Sequence, residues 1–181
     1  MEILESLKEK VGSLVLANKL KSLKRNKSVY NFDNAKEIGI IINATDAKVY
    51  EAACSFIKFL TEKKIKVVSI SYVEKKEVLD LYSLQIGMLY FTKSDLNWYY
   101  KPTNHNILDF INNRFDILID LSLEELYPLE YILNLSRAKY KVGRFTSENS
   151  VYDLMINIKK TDTVEFLIEQ IKHYLLILKT K

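Results

Sequence analysis

The sequence predicts a three-layer α/β fold, in which a mostly parallel, Rossmann-like sheet of five or six strands carries helices on both faces. Short unbroken apolar segments such as EIGIIIN (37–43) and FDILIDLS (115–122) are typical of strands buried on both faces. Each is followed by a longer segment whose apolar residues recur at helical spacing. Strands that alternate with helices indicate parallel pairing.

The first strand–helix–strand unit has the clearest pattern. A helix is predicted over 45–64, with Thr45 as its N-cap because a threonine oxygen accepts a hydrogen bond from the first turn. A strand over 65–72 follows, and a right-handed crossover joins it to 37–43. Less regular segments come next and are expected at a sheet edge or in an insertion. They are predicted as a short helix and two short strands: 75–83, 88–91 and 97–101.

The alternating pattern then resumes. Helices are predicted over 104–113, 128–137 and 163–179, and strands over 115–122, 138–143 and 152–158. Ser122 and Glu125 have the spacing of a capping box, in which each side chain bonds the other residue's backbone amide. Pro128 predicts a helix break near Tyr127, because proline cannot donate the helical hydrogen bond.

The composition is that of one globular domain, with a single cysteine and no apolar run long enough to span a membrane. We expect an N-terminal helical segment over 1–28 and an α/β domain over 29–181. Cys54 is expected to be a small buried residue. Met1 is followed by a charged amphipathic segment and not by an apolar leader, so a cytoplasmic protein is expected.

Positive charge is concentrated in the N-terminal segment. The chain has 27 basic and 23 acidic residues, and residues 1–28, with seven basic and three acidic side chains, carry the whole net charge of +4. We therefore expect an unidentified protein, RNA or an anionic membrane surface to bind this segment. The expected contact residues are Lys19, Lys21, Lys24, Arg25 and Lys27.

The N-terminal helix has two apolar stripes, so one face can pack on the domain while the other meets a partner or a second copy of the chain. Gly12, near the change of face, predicts a bend. One stripe consists of Ile3, Leu7, Val11 and Leu14, and the other of Leu16, Leu20 and Leu23.

A ligand site is expected at the carboxyl ends of the strands, where open parallel sheets bind their ligands. Asp46 and Asp120 are the candidate catalytic acids there. Asp120 is also compatible with a metal ligand, a ribose-binding acid or, the favoured structural interpretation, a carboxylate bonded to loop amides. The candidate ligand-binding residues are Asn43, Thr45, Ser122 and Arg144. Arg144 can clamp an anion in a two-pronged way, or form a surface ion pair.

No cofactor or metal is predicted. The chain lacks the glycine-rich dinucleotide and phosphate-binding motifs, and the turn after the first strand, NATD, contains no glycine. His105 and His173 have no partner at zinc-ligand spacing.

Two resemblances add to this interpretation. The segment from NNRFDILIDLSLEELYPLEYI to LNLSRAKYKVGRF (112–145) resembles the acceptor-side domain of heptosyltransferase-like glycosyltransferases, and IGIIINATDAKVYEAACSFIKFL (38–60) is similar to their first strand and helix. That resemblance implies Asp46 as a catalytic base, although Thr45 stands where that family has glycine. The basic helix, AKEIGI (35–40) and FDILIDL (115–121) resemble an uncharacterised bacteroidete family, which implies an α/β fold without an activity.

Two functional hypotheses follow. The leading one is a non-catalytic interaction module that docks through its basic N-terminal helix. The alternative is a small-ligand-binding protein or a transferase-like enzyme that uses the crevice at the strand ends.

Overall fold

Within the described residues, six strands form one sheet in which every neighbouring pair is parallel. The computed structural model describes residues 2–74, 88–146 and 151–179, without the side chains of residues 2–6 and 9. The strands are β1 (Glu37–Asn43), β2 (Lys66–Tyr72), β3 (Met88–Phe91), β4 (Ile117–Asp120), β5 (Tyr140–Arg144) and β6 (Leu154–Ile156). Their order is β3-β2-β1-β4-β5-β6, so the direction of winding reverses between β1 and β4. The predicted parallel sheet is confirmed, with β3 at an edge.

Helices cover both faces of the sheet, as predicted. They are α1 (Glu2–Leu20), α2 (Ala47–Glu62), α3 (His105–Asn112), α4 (Tyr127–Leu135) and α5 (Val164–Ile177). The buried residues of α2 and α5 belong to one hydrophobic core, and those of α1, α3 and α4 belong to the other. The described residues contain no helix with the length and apolar character needed to cross a bilayer.

β1 divides the two cores. Ile40 and Ile42 face the α2 and α5 layer, whereas Ile41 faces the opposite layer, and all three are fully buried. Gly39 lies under Phe115, where a Cβ atom would come within 2.7 Å of the aromatic ring. This residue must therefore be glycine for β1 to pack against the segment that leads into β4.

Helix α1 ends at Leu20, earlier than the sequence predicts, and it continues through Gly12. Gly12 marks a close contact: a Cβ atom there would lie 2.5 Å from the hydroxyl oxygen of Tyr127 on α4. Leu16, one turn further along, is buried in the same core. The glycine therefore lets α1 lie close to α4.

Two local predictions were wrong, and a third is untested. Residues 97–101 form a turn and not a strand, because the Asn97 side chain accepts hydrogen bonds from the amides of Tyr99 and Lys101. The N-cap of α2 is Asp46, whose carboxylate accepts from the Lys48 amide; Thr45 instead donates its hydroxyl to Asn43. The predicted helix over 75–83 lies outside the described residues.

The predicted capping box at Ser122 and Glu125 is also absent. No helix begins at residue 123; α4 begins at Tyr127, with Pro128 in its first turn, so the break predicted from the proline is confirmed. Proline is tolerated at this position because its missing amide would have no helical partner. Ser122 and Glu125 therefore lie in a loop directly after β4.

Candidate functional site

Cavities open along the carboxyl edge of the sheet, where the sequence predicts a site. The one between β4, β5 and α4, called the Asp120 cavity, has a volume of about 180 Å³. Its charged and polar lining residues are Asp120, Ser122, Glu124, Glu125, Glu130, Asn134, Arg144, Thr146 and Tyr152. Its apolar lining residues are Leu126, Leu129, Leu133 and Val151. Asp120, Ser122 and Arg144 were all predicted as site residues, and the fold brings them to one cavity.

The carboxylate of Asp120 lies at the end of β4 and is only 5% exposed. One oxygen accepts a 2.8 Å hydrogen bond from the Ser122 amide, and the other accepts a 2.6 Å bond from the Tyr152 hydroxyl. Each carboxylate oxygen has capacity for a further donor. Asp120 is therefore held in one orientation while it lines the cavity.

Burial changes the pKa values of both Asp120 and Tyr152. Loss of solvent raises the pKa of Asp120, against the opposing effect of the hydrogen bond from Tyr152 and the positive charge of Arg144. Burial and the neighbouring Asp120 charge likewise raise the pKa of Tyr152 far above its ordinary range. Tyr152 is therefore a permanent hydrogen-bond donor, and Asp120 keeps a proton to higher pH than an ordinary aspartate.

The hydroxyl of Ser122 is the second buried polar group of the cavity. The residue is 7% exposed, and its oxygen makes no hydrogen bond within the described part of the chain. It lies near enough to Asp120 to favour the charged carboxylate, but without the geometry of a hydrogen bond. A buried hydroxyl can both donate and accept, so Ser122 can bond to a polar group that enters the cavity beside Asp120.

Arg144, at the end of β5, supplies a positive charge to the cavity. Its side chain is 23% exposed, and its distance to the Glu125 carboxylate is 4.0 Å, the limit for an ion pair. A guanidinium that is held so loosely can bind a carboxylate or phosphate with two parallel hydrogen bonds. Arg144 also lines a neighbouring cavity of about 480 Å³ that contains Lys159 and Lys160.

The remaining predicted residues lie in a different cavity, called the switch-point crevice, between β1 and β4. Asn43, Thr45 and Asp46 line this space of about 410 Å³. Their polar groups bond to each other or to α2: Asn43 accepts from Thr45, and Asp46 accepts from the Lys48 amide. Asp46 and Asp120 therefore line different cavities, and Asp46 has a structural function at the start of α2.

Two of the predicted partner-binding residues bond to the domain itself. Arg25 is 8% exposed on its side chain and contacts both oxygens of Asp153, at 2.5 and 2.7 Å. Lys27 approaches the same carboxylate at 3.2 Å. Because Asp153 directly follows Tyr152, these contacts help to fix the segment that supplies the donor to Asp120.

The other three predicted partner-binding residues, Lys19, Lys21 and Lys24, are exposed. The Lys19 ammonium lies 5.8 Å from the centre of the Tyr131 ring. Two apolar residues on the outer side of α1 are also exposed, Leu7 by 53% and Leu14 by 72%.

Tyr152 is the site residue that the sequence interpretation missed. The signal for it is Gly143 on β5, where a Cβ atom would lie 2.6 Å from Cζ of Tyr152. A glycine inside a strand often marks a close approach of another group. No group of three acidic, histidine or cysteine side chains converges as a metal site requires in the part of the chain that the structure describes.

A family model matches residues 8–178, nearly the whole chain. Its description is a family of unknown function (DUF6913). The chain belongs to this family. No curated protein matches the DUF6913 chain. The matched range includes the residues that line both cavities, and the family description assigns no activity.

Proposed function

We propose that this protein binds a small polar metabolite in the Asp120 cavity. The observation that carries the proposal is the unpartnered, buried hydroxyl of Ser122 beside the buried carboxylate of Asp120. A buried polar group without a partner costs about 1–3 kcal/mol. A ligand that bonds both groups would offset that cost, and Arg144 offers it a complementary charge.

The Asp120 cavity is a better candidate than the switch-point crevice. In the crevice, Asn43 and Asp46 already accept hydrogen bonds from the protein. Perturbed carboxylates that line a cavity are concentrated at functional sites, and the pKa of Asp120 is raised by burial. A carboxylate of this kind is also suited to proton transfer, which would make the protein a transferase-like or other enzyme.

A thermal-shift screen tests the proposal. The probes are amino acids, nucleotides, nucleotide-sugars, sugar phosphates and divalent metals. A ligand at a hundred times its Kd adds about 2.7 kcal/mol of stability, a rise in Tm of about 5–10 °C for a chain of this size. The proposal requires a hit that is lost in Asp120→Asn and Ser122→Ala.

The matched control for the screen is Asp109→Asn, which changes an exposed aspartate on α3. The control should keep every shift that the unmodified protein shows. If no compound shifts the unmodified protein, or if every hit survives both cavity variants, the proposal is wrong.

A second candidate function is docking through the outer side of α1, carried by the exposure of Leu7 and Leu14. These leucines lie two helical turns apart, on the same side as Lys10, and Lys21 follows the end of the helix. A second copy paired along this side would bring lysines of like charge together, whereas acidic groups on a partner protein would pair with them. We therefore propose a partner protein with acidic groups around an apolar groove.

Crosslinking in intact cells tests the docking candidate. Crosslinks from Lys10 and Lys21 to one protein should disappear in Leu14→Glu and persist in Leu176→Glu, a matched change at an exposed leucine of α5. The identified partner must then bind the purified chain in the same pattern. Two results would contradict a partner protein on this side of α1. One is sedimentation of the chain with phosphatidylserine vesicles, and the other is a dimer of the unmodified chain that Leu14→Glu abolishes.

A further inference from the structure

The Asp120 cavity combines a buried carboxylate, a loosely paired guanidinium and an apolar wall. These groups are Asp120, Arg144 and a set of leucines at the start of α4. We infer that the cavity binds an apolar α-amino acid, with its ammonium group on Asp120 and its carboxylate on Arg144. The inference rests on the proposed function of the cavity and names the class of its ligand.

The volume of the cavity limits the ligand to a small molecule. At about 180 Å³ it is smaller than the pockets of roughly 300–1,000 Å³ that hold drug-sized ligands. Nucleotides and nucleotide-sugars exceed that space and would extend into the neighbouring cavity that Arg144 also lines. An amino acid with an aliphatic side chain fits it.

The charges select a zwitterion. An ammonium group can donate to Asp120 and to the Ser122 hydroxyl oxygen, which has no donor in the described part of the chain. A carboxylate can accept the two-pronged bond from Arg144, whose ion pair with Glu125 is stretched to 4.0 Å. A plain amine would leave Arg144 without a ligand group, and a plain carboxylate would bring a second negative charge to Asp120.

The apolar wall selects the side chain of the amino acid. Leu129 and Leu133 lie one turn apart on α4, and Leu126 precedes the helix on the same cavity. An aliphatic side chain against this wall would remove apolar surface from water. A polar side chain against these leucines would lose its hydration without a partner, whereas Glu130 and Asn134, which also line the cavity from α4, could bond only to a polar group that reaches them.

Isothermal titration of the full chain with three compounds tests the inference. L-leucine carries both charged groups, 3-methylbutylamine lacks the carboxylate, and 4-methylpentanoate lacks the ammonium group. We expect L-leucine to bind at least tenfold more tightly than either analogue. Equal binding of L-leucine and either analogue would overturn the zwitterion assignment.

Variants assign each charge to its residue. Arg144→Gln should weaken L-leucine at least tenfold and leave 3-methylbutylamine unchanged. Asp120→Asn should weaken L-leucine and the amine, and it should not weaken 4-methylpentanoate, because the variant removes the negative charge that repels a carboxylate. Ser122→Ala, a smaller change, keeps the test valid if Asp120→Asn does not fold. Arg137→Gln, at an exposed arginine outside the cavity, is the matched control and should bind as the unmodified protein does.

The same experiments distinguish a wrong ligand class from a cavity that binds no ligand. If L-leucine does not bind but another compound binds in a manner lost in Asp120→Asn or Ser122→Ala, the cavity is a binding site and the amino-acid class is wrong. If neither cavity variant changes the binding of any compound, both proposals are overturned.

Discussion

The hydroxyl of Tyr152 donates a 2.6 Å hydrogen bond to the buried carboxylate of Asp120, and this bond joins the segment before β6 to the end of β4. The two residues are 32 positions apart in the sequence. The same segment is fixed on its other side by the contacts of Asp153 with Arg25. Orientation of Asp120 towards the cavity therefore depends on a contact between two distant parts of the chain.

Tyr152→Phe should destabilise the protein by about 1–3 kcal/mol, because it leaves a buried carboxyl oxygen of Asp120 without its hydrogen-bond donor. Urea unfolding at pH 7, followed by circular dichroism, measures the change. Tyr174→Phe, at an exposed tyrosine of α5, should change the free energy of unfolding by less than about 0.5 kcal/mol. Equal stability of Tyr152→Phe and the unmodified protein would show that the bond contributes nothing.

Gly143→Ala should disturb the same contact. The added Cβ atom would lie 2.6 Å from Cζ of Tyr152, the ring carbon that carries the hydroxyl, so the ring must move. We expect a loss of about 1–3 kcal/mol from overpacking. The near-ultraviolet circular dichroism of the variant should change with it. A variant as stable as the unmodified protein, with an unchanged spectrum, would contradict the close approach.

Asp120→Asn should change the pH dependence of stability. Burial raises the pKa of Asp120, so its contribution to stability is fully present below about pH 4 and is lost as the pH rises through the raised value. The variant lacks this titration. The free energy of unfolding of the unmodified protein minus that of the variant should therefore fall between pH 3 and pH 7. A difference that rises over this range would mean that Asp120 is stabilised in its charged form.

Asp116→Asn should show the opposite slope. Burial alone would raise the pKa of Asp116, but the hydrogen bond from Lys139 and those from the backbone amides of Lys36 and Glu37 outweigh it and lower the pKa. The contribution of Asp116 to the free energy of unfolding is present above about pH 4 and is lost as the pH falls through its lowered pKa. We expect the variant to lose about 1.5–3 kcal/mol at pH 7 and much less at pH 2. A loss that is independent of pH would contradict the charged contacts.

Lys141→Met tests a buried lysine on β5. Its ammonium donates to the carbonyls of Leu133 and Asn134 at the end of α4, and burial lowers the pKa of Lys141 to about 7. The folded protein releases this proton before the unfolded chain does, so stability rises with pH from about 7 towards 10. The free energy of unfolding of the unmodified protein minus that of the variant should rise by up to about 1.4 kcal/mol per pH unit between pH 7 and pH 9. A constant difference would show that Lys141 remains charged.

The sheet could be predicted from the sequence because its strands are buried on both faces. β1 occupies the predicted range 37–43, since five successive buried residues leave an unbroken apolar segment. The N-cap of α2 was harder to predict, because two neighbouring polar side chains can both serve. Thr45 and Asp46 are both competent N-caps, and only the bond from Thr45 to Asn43 leaves Asp46 for the helix.

The cavity could be predicted only in part. Asp120, Ser122 and Arg144 follow from the positions of the strand ends, because parallel strands bring their carboxyl ends to one edge. Tyr152 could not be placed, since its contact depends on how the segment before β6 packs. Arg25 was predicted as a partner-binding residue from its charge alone, whereas its bond to Asp153, 128 positions away, required the folded chain.

The most direct test of ligand binding in the Asp120 cavity is a titration of the ¹⁵N-labelled protein, observed by NMR. The ligands are L-leucine and each compound that raises Tm in the screen. The amide of Ser122, which bonds Asp120, should shift on binding, while the amide of Lys48, which bonds Asp46, should not. Shifts at Lys48 without shifts at Ser122, or no shift at either amide, would contradict the account.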